Sequence, residues 1–208
     1  MKKAIVLLKK ADAVLAEIIE RAGAYKVSYA EPDFETLVRS IVSQQLNGRA
    51  ADTIFARLQA AAKADPMTPE SILKLRPAKM RSVGLSGQKM TYIRELARMT
   101  RSGEVNFEQC ATLEDGAVVE HLTRVKGVGV WTVHMFLMFA LRRHDVLPTG
   151  DYGIRAAMKK AYGLEEMPKP AEMEKIAAPW RPYSSVACWY LWRSLENKEP
   201  EARSQEPE

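Results

Sequence analysis

Asp151 stands in the stretch LPTGDYGIRAA, directly after Gly150 and shortly after Pro148. An aspartate there is suited to cap the helix that the following residues predict, since its side-chain oxygen accepts from the first amides of the helix. The same position keeps a carboxylate ionised, because the helix dipole and the nearby N–H groups favour the charged form. A fixed negative charge in a water-poor site stabilises positive charge that develops on a bound substrate. Upstream, VKGVGVW at 125–131 sets two glycines one residue apart and runs into the apolar segment WTVHMFLMFAL. Three readings are open for it. A dinucleotide fingerprint needs a preceding strand and a third glycine, and here the third slot is Thr132 after a helical stretch. A tight helix–helix turn needs only Gly127 and Gly129 to supply unusual backbone angles. An anion site needs backbone amides at the start of the second helix, glycines that let a phosphate approach them, and a cation beside it, which Lys126 supplies.

The elements that must carry these residues are helices. Apolar residues recur at helical spacing and no clear strand alternation is present, which predicts an all-α chain. Helices are expected over 3–22, 33–45, 48–63, 69–74, 77–82, 87–102, 112–122, 129–142, 151–161, 171–177 and 182–195. Pro32 with Asp33, Pro66 with Pro69, and Gly163 mark several of their ends. AKMRSVGLSGQKMTYI has the same helix, Gly-containing turn, helix pattern as LTRVKGVGVWTVHMF. The charged, Pro-containing tail 196–208 is expected to be disordered.

Composition bounds the partners. The chain of 208 residues carries 31 Lys and Arg against 26 Asp and Glu, a net +5. Five Glu against one Lys and one Arg from Glu196 onward give that tail −3, so +8 lies before it. Such an excess favours a polyanion, nucleic acid or an anionic membrane surface. Two distant cysteines, Cys110 and Cys188, offer neither a disulfide framework nor a CxxC metal knuckle, which fits a reducing cytoplasm. The early apolar run AIVLL is too short for a signal segment or a membrane span.

The segment LTRVKGVGVWTVHMFLMFALRRHDVLPTGDYGIRAA resembles the hairpin and the Gly/Pro…Asp segment of the helix–hairpin–helix (HhH-GPD) DNA glycosylases, and within them the 3-methyladenine DNA glycosylase II group. The likeness extends more thinly through FETLVRSIVSQQLNGRAA and WRPYSSVACWYLWR. It implies an all-α, two-lobed fold with the active site in the cleft between lobes: lobe A about 31–145, and lobe B about 1–30 plus 146–195, as one catalytic unit over 1–195. It implies hydrolysis of the N-glycosidic bond of alkylated bases of the 3-methyladenine and 7-methylguanine type, in base excision repair. Hypoxanthine, etheno-adenine or uracil lesions are alternative substrates, and a non-enzymatic DNA-binding module is an alternative role.

The resemblance also assigns residues. Asp151 would stabilise the oxocarbenium-like sugar, with activation of the attacking water as a second duty. Lys126, Gly127, Val128, Gly129 and Val130 would hold the DNA backbone through the hairpin. Trp131, Tyr152, Trp192 and Met135 would line the base pocket, where electron-rich rings attract cationic methylated bases. Gln45 or Leu46 would fill the gap left by the flipped nucleotide. Arg49, Lys89, Arg124 and Lys126 are candidates for phosphate contact, and His134 reads as a helix histidine. Relatives that cut the abasic strand place a lysine where this chain has Trp131, which implies base removal without strand cleavage. No cofactor is expected, since two cysteines cannot hold the four-cysteine iron–sulfur loop of some relatives. A monovalent cation at the hairpin carbonyls stays open. The expected partner is double-stranded DNA with damaged bases, bound by a monomer in the cytoplasm at the nucleoid, away from any membrane.

Overall fold

The computed structural model describes residues 1–196, and among them every regular element is a helix. In chain order these are α1 (Lys2–Ala11), α2 (Ala13–Ala22), α3 (Phe34–Ser43), α4 (Gly48–Ala62), α5 (Pro69–Leu73), α6 (Pro77–Ser82), α7 (Gly87–Ser102), α8 (Phe107–Thr112), α9 (Asp115–Thr123), α10 (Val130–Phe139), α11 (Tyr152–Ala161), α12 (Pro170–Ala177) and α13 (Ser184–Glu196). A 3₁₀ turn, Ala178–Trp180, follows α12. No helix among the described residues is long and apolar enough to cross a membrane. The tail expected to be disordered lies outside the described residues from 197 onward, and α13 runs through Glu196.

Polar caps start many of these helices where the sequence placed their beginnings. Asp33 accepts from Thr36 N at 2.9 Å, Asn47 from Ala50 N at 2.9 Å and Ser86 from Lys89 N at 3.3 Å. Each satisfies one of the amides that a helix start leaves without an intrahelical acceptor. Gly163 has the positive φ, 64°, expected of a glycine that ends α11.

Four expected helices differ from those observed. The run 3–22 is broken at Asp12, whose backbone is extended (φ −147°, ψ 112°). Its carboxylate caps α2 at Leu15 N and accepts from Tyr162 Oη at 2.6 Å and Trp180 Nε1 at 2.8 Å. The helix expected over 112–122 begins later, as α9 at Asp115, because a helix not expected from the sequence, α8, ends at Thr112 and the extended Leu113 (φ −79°, ψ 153°) follows it. The helix expected over 129–142 stops at Phe139. There Ala140 N and Leu141 N both donate to Phe136 O, and Arg142 turns left-handed (φ 57°) with its guanidinium over the Tyr29 ring. The helix expected over 33–45 stops at Ser43, because Gln44 is extended (ψ 129°) and Gln45 is left-handed (φ 57°).

Contacts divide the chain into two compact units. Among the described residues, one is Met1–Val27 with Arg143–Glu196; the other is Ser28–Arg142. In the first, Leu8, Leu15, Ile18, Ile154, Met158, Trp180, Tyr190 and Leu191 are buried, so α1, α2, α11 and α13 share one core. In the second, Leu37, Ile41, Leu58, Ile72, Ile93, Leu96, Leu122 and Val133 are buried, and α7 packs on α3 and α5. Burial of such side chains is the main favourable term for each unit.

Candidate active site and DNA-binding hairpin

Asp151 belongs to the first unit and is only 7% exposed. The turn that delivers it closes with Asp151 N donating to Pro148 O at 2.9 Å, and Arg155 N then donates to Asp151 O as the first helical bond. Its Oδ1 accepts from Ile154 N at 2.7 Å and from Trp192 Nε1 at 2.9 Å. Asp151 therefore caps α11 while its carboxylate is also held from α13, so the cap and the candidate catalytic group are one residue. Gly153 makes this possible. A Cβ there would lie 3.0 Å from Trp192 Cδ1 and 3.1 Å from Asp151 Oδ1, closer than side chains normally approach. Trp192, expected in the base pocket, is half-buried and spends its indole N–H on the aspartate. Tyr152, the first residue of α11, is 76% exposed, an aromatic ring offered beside the carboxylate position. Cys188, fully buried on α13, has its thiol pushed up by burial and by the Asp151 charge, and so stays protonated.

The hairpin belongs to the second unit and joins α9 to α10. Val125 and Val128 are buried and pin the turn, in which Val125 N donates to Leu122 O and Val128 N to Val125 O. The two glycines do different work. Gly127 is left-handed (φ 88°), and a Cβ on it would sit 2.0 Å from the Tyr92 ring. Gly129, expected to need unusual angles, instead has an ordinary extended backbone (φ −92°, ψ 168°) and caps α10 without a side-chain bond. A Cβ on Gly129 would meet nothing within 4 Å. The chain's own packing thus requires glycine at 127 but not at 129. Lys126, Val130 and Trp131 are exposed around this helix start, where amides and dipole favour an anion.

Beside the hairpin runs the loop from α3 to α4. Leu46 is 39% exposed, and Leu46 N donates to Ser43 O at 3.2 Å. A cavity of about 440 Å³ is lined by Arg39, Ser40, Ser43, Gln44, Gln45, Leu46, Trp131, Thr132 and Met135. The fold therefore brings Trp131 and Met135 to one cavity with Gln45 and Leu46, although the two pairs lie at least 85 positions apart in sequence. A larger cavity of about 590 Å³ in the same unit, beside Asp33 and Arg39, holds none of the expected site residues.

Lys89, offered by the sequence as a phosphate contact, donates to Val42 O at 2.7 Å and Gln44 O at 2.6 Å. Arg124 donates to Glu104 O at 2.9 Å. His134 has its pKa lowered by burial, against a smaller opposing effect of Asp115, as suits a packed helix histidine. Among the described residues no three or more His, Cys, Asp or Glu gather as a metal group. Of the hairpin carbonyls, Val125 O accepts from Val128 N and Gly127 O from Gln44 Nε2. Sequence reasoning missed Gly153, Gln44 and Tyr92, and it did not foresee the backbone carbonyls that Lys89 meets. The one signal available was the repeated helix, Gly turn, helix pattern that ends in Lys89 and Tyr92.

A glycine hairpin at a helix start, followed by a buried, cap-forming aspartate, defines a class. The chain belongs to the HhH-GPD superfamily of base excision DNA repair proteins, whose family model matches residues 38–182. Over 200 residues it is 32% identical to DNA-3-methyladenine glycosylase 1 of Schizosaccharomyces pombe, covering 93% of this chain and 87% of that one. The solved S. pombe 3-methyladenine DNA glycosylase in complex with abasic DNA matches with a TM-score of 0.82 and 32% identity, over 94% of this chain and 97% of that one. A Bacillus halodurans DNA-3-methyladenine glycosidase matches equally well, TM-score 0.82 at 35% identity, over 92% and 88% of the two chains. The all-α helix–hairpin–helix glycosylase fold expected from sequence is the fold observed.

Proposed function

We propose that this protein is a monofunctional DNA glycosylase that hydrolyses the N-glycosidic bond of alkylated bases in damaged duplex DNA, as a step of base excision repair. The observation that carries this reading is the Asp151 carboxylate, 7% exposed and held through Oδ1 by Ile154 N and Trp192 Nε1. Departure of the base builds positive charge on the deoxyribose, and an ionised carboxylate fixed in a water-poor site stabilises it without reorganising. Its partners also orient the group for the attacking water. The products are the free base and an abasic site.

The remaining parts follow from the same reaction. Amides at the start of α10, with Lys126, grip phosphates without reading sequence. Leu46 or Gln45 fills the stack when the nucleotide leaves it. The rings of Trp131 and Tyr152, with Met135 at the cavity wall, bind a base. Bases methylated at N3 of adenine or N7 of guanine are cationic, so aromatic faces attract them and little acid help is needed. The names of the similar glycosylases support this substrate class. We read residues 1–195 as one catalytic unit. Trp131 cannot form a Schiff base, so no strand cleavage is expected.

The test is base release from a duplex with one 7-methylguanine or 3-methyladenine. Asp151→Asn is expected to bind that duplex with an affinity close to the parent's and to lose release by about a hundredfold or more, the scale of removing a preorganised electrostatic stabiliser. Unchanged release by the variant sinks the assignment, and a borohydride-trapped covalent adduct overturns the monofunctional reading.

A further inference from the structure

A set of contacts outside the assigned roles ties together the wedge loop, the hairpin and the start of α7. Gln44 Nε2 donates to Gly127 O at 2.8 Å, bridging positions 83 residues apart. Lys89 Nζ donates to the carbonyls of Val42 and Gln44, and so closes the C-terminal end of α3 with a cation where the helix dipole is negative. Tyr92, one turn further along α7, fills the space over Gly127, and Gln88 Nε2 donates to Tyr92 Oη at 2.7 Å. The first two turns of α7 therefore touch both the loop and the hairpin.

The loop needs such support. Gln45 is left-handed (φ 57°) without being glycine, a conformation that persists only when its surroundings over-determine it. Leu46 follows it with an exposed apolar side chain. Polar anchors on Gln44, directly before the strained residue, are what would fix the direction in which Gln45 and Leu46 point.

We propose that Gln44 and Lys89 are positioning residues that lock the wedge loop to the phosphate-gripping hairpin, so that gripping the backbone sets where the wedge enters the stack. This rests on the glycosylase reading above. Neither residue touches the reacting atoms. Both act through Gln45 and Leu46, and holding a group in register has kinetic value, since a small misplacement is costly. Gln44→Glu keeps the shape of the side chain but replaces the N–H donor with an oxygen that repels the Gly127 carbonyl. Lys89→Met keeps the stem and removes the donors, whereas Lys89→Arg retains them.

The experiment compares single-turnover release of one alkylated base from a paired duplex and from the same duplex with the lesion in an unpaired bubble. A 2-aminopurine beside the lesion reports unstacking in both. Gln44→Glu and Lys89→Met are expected to slow release and unstacking in the paired duplex by about tenfold, with changes under about twofold in the bubble and in affinity for undamaged duplex. Lys89→Arg is expected to restore most of the paired-duplex rate. Equal slowing on both substrates, or no slowing on either, overturns the proposal. Absence of base release by the parent protein would instead sink the glycosylase reading, and the 2-aminopurine signal would still test the coupling.

Discussion

Asp151 and the hairpin glycines show how much a single atom decides. The carboxylate can cap α11 and also serve the catalytic role proposed for it, because a place at a helix start suits a carboxylate oxygen in either duty. Gly153 has no Cβ to separate it from Trp192. At the hairpin the two glycines should separate in mutants. Gly127→Ala drives a methyl into the Tyr92 ring at a positive φ, and is expected to cost about 3 kcal/mol of stability or more. Gly129→Ala meets open space and is expected to cost about 1 kcal/mol as a poorer cap. It should nonetheless weaken DNA binding about tenfold, because the added methyl stands where a phosphate approaches the amides. Urea unfolding and a filter-binding titration on the same two variants check both halves. A Gly127 variant as stable as the parent, or a Gly129 variant that binds normally, would contradict the assignment.

At the scale of elements, helix ends carry the information that periodicity lacks. Asp33, Asn47 and Ser86 begin helices through side-chain bonds that reach only three residues, so the sequence displays them. Asp12 breaks a helix for reasons that lie 150 and 168 residues away, in Tyr162 and Trp180, and no window along the chain contains them. The start of α8 has a similar long-range support: Asn106 N donates to His121 Nε2 at 3.1 Å, a bond that needs an unprotonated nitrogen. Burial first, and the Arg124 charge second, lower the His121 pKa from its usual 6.5. The unfolded chain therefore takes up this proton first as pH falls. Stability from the group is complete above the unfolded value and is lost as acidification carries the pH down through the lowered folded one. Thermal midpoints at about pH 7.5 and about pH 5 should differ for the parent protein, and His121→Gln should narrow that difference. An undiminished difference in the variant would remove His121 from the account.

For the whole molecule, charge and topology act separately. Positive charge steers a polyanion toward the protein but says nothing about fold. DNA affinity is expected to fall linearly in log–log form with salt, and Lys126→Ala to reduce the slope by about one while weakening all duplex sequences alike. An unchanged slope would take Lys126 off the phosphates. Topology sets the two units: α1 and α2 join α11 to α13 in one, while the continuous segment Ser28–Arg142 builds the other. A cavity shared by Gln45, Leu46, Trp131 and Met135 exists because α3 and α10 lie in the same unit and contact one another.

The sequence by itself determined the helical class, most helix starts, the hairpin, and the aspartate that follows it. Each rests on forces that act over a few residues: apolar periodicity, a cap bond, a backbone angle open to glycine. Only the tertiary structure decided what Lys89 does, why Gly127 cannot carry a methyl, which oxygen Trp192 holds, and where α1 ends. Those outcomes depend on which distant side chain occupies the adjoining space. A lysine reads the same in a linear sequence whether it faces a phosphate or two backbone carbonyls, and packing alone distinguishes the two.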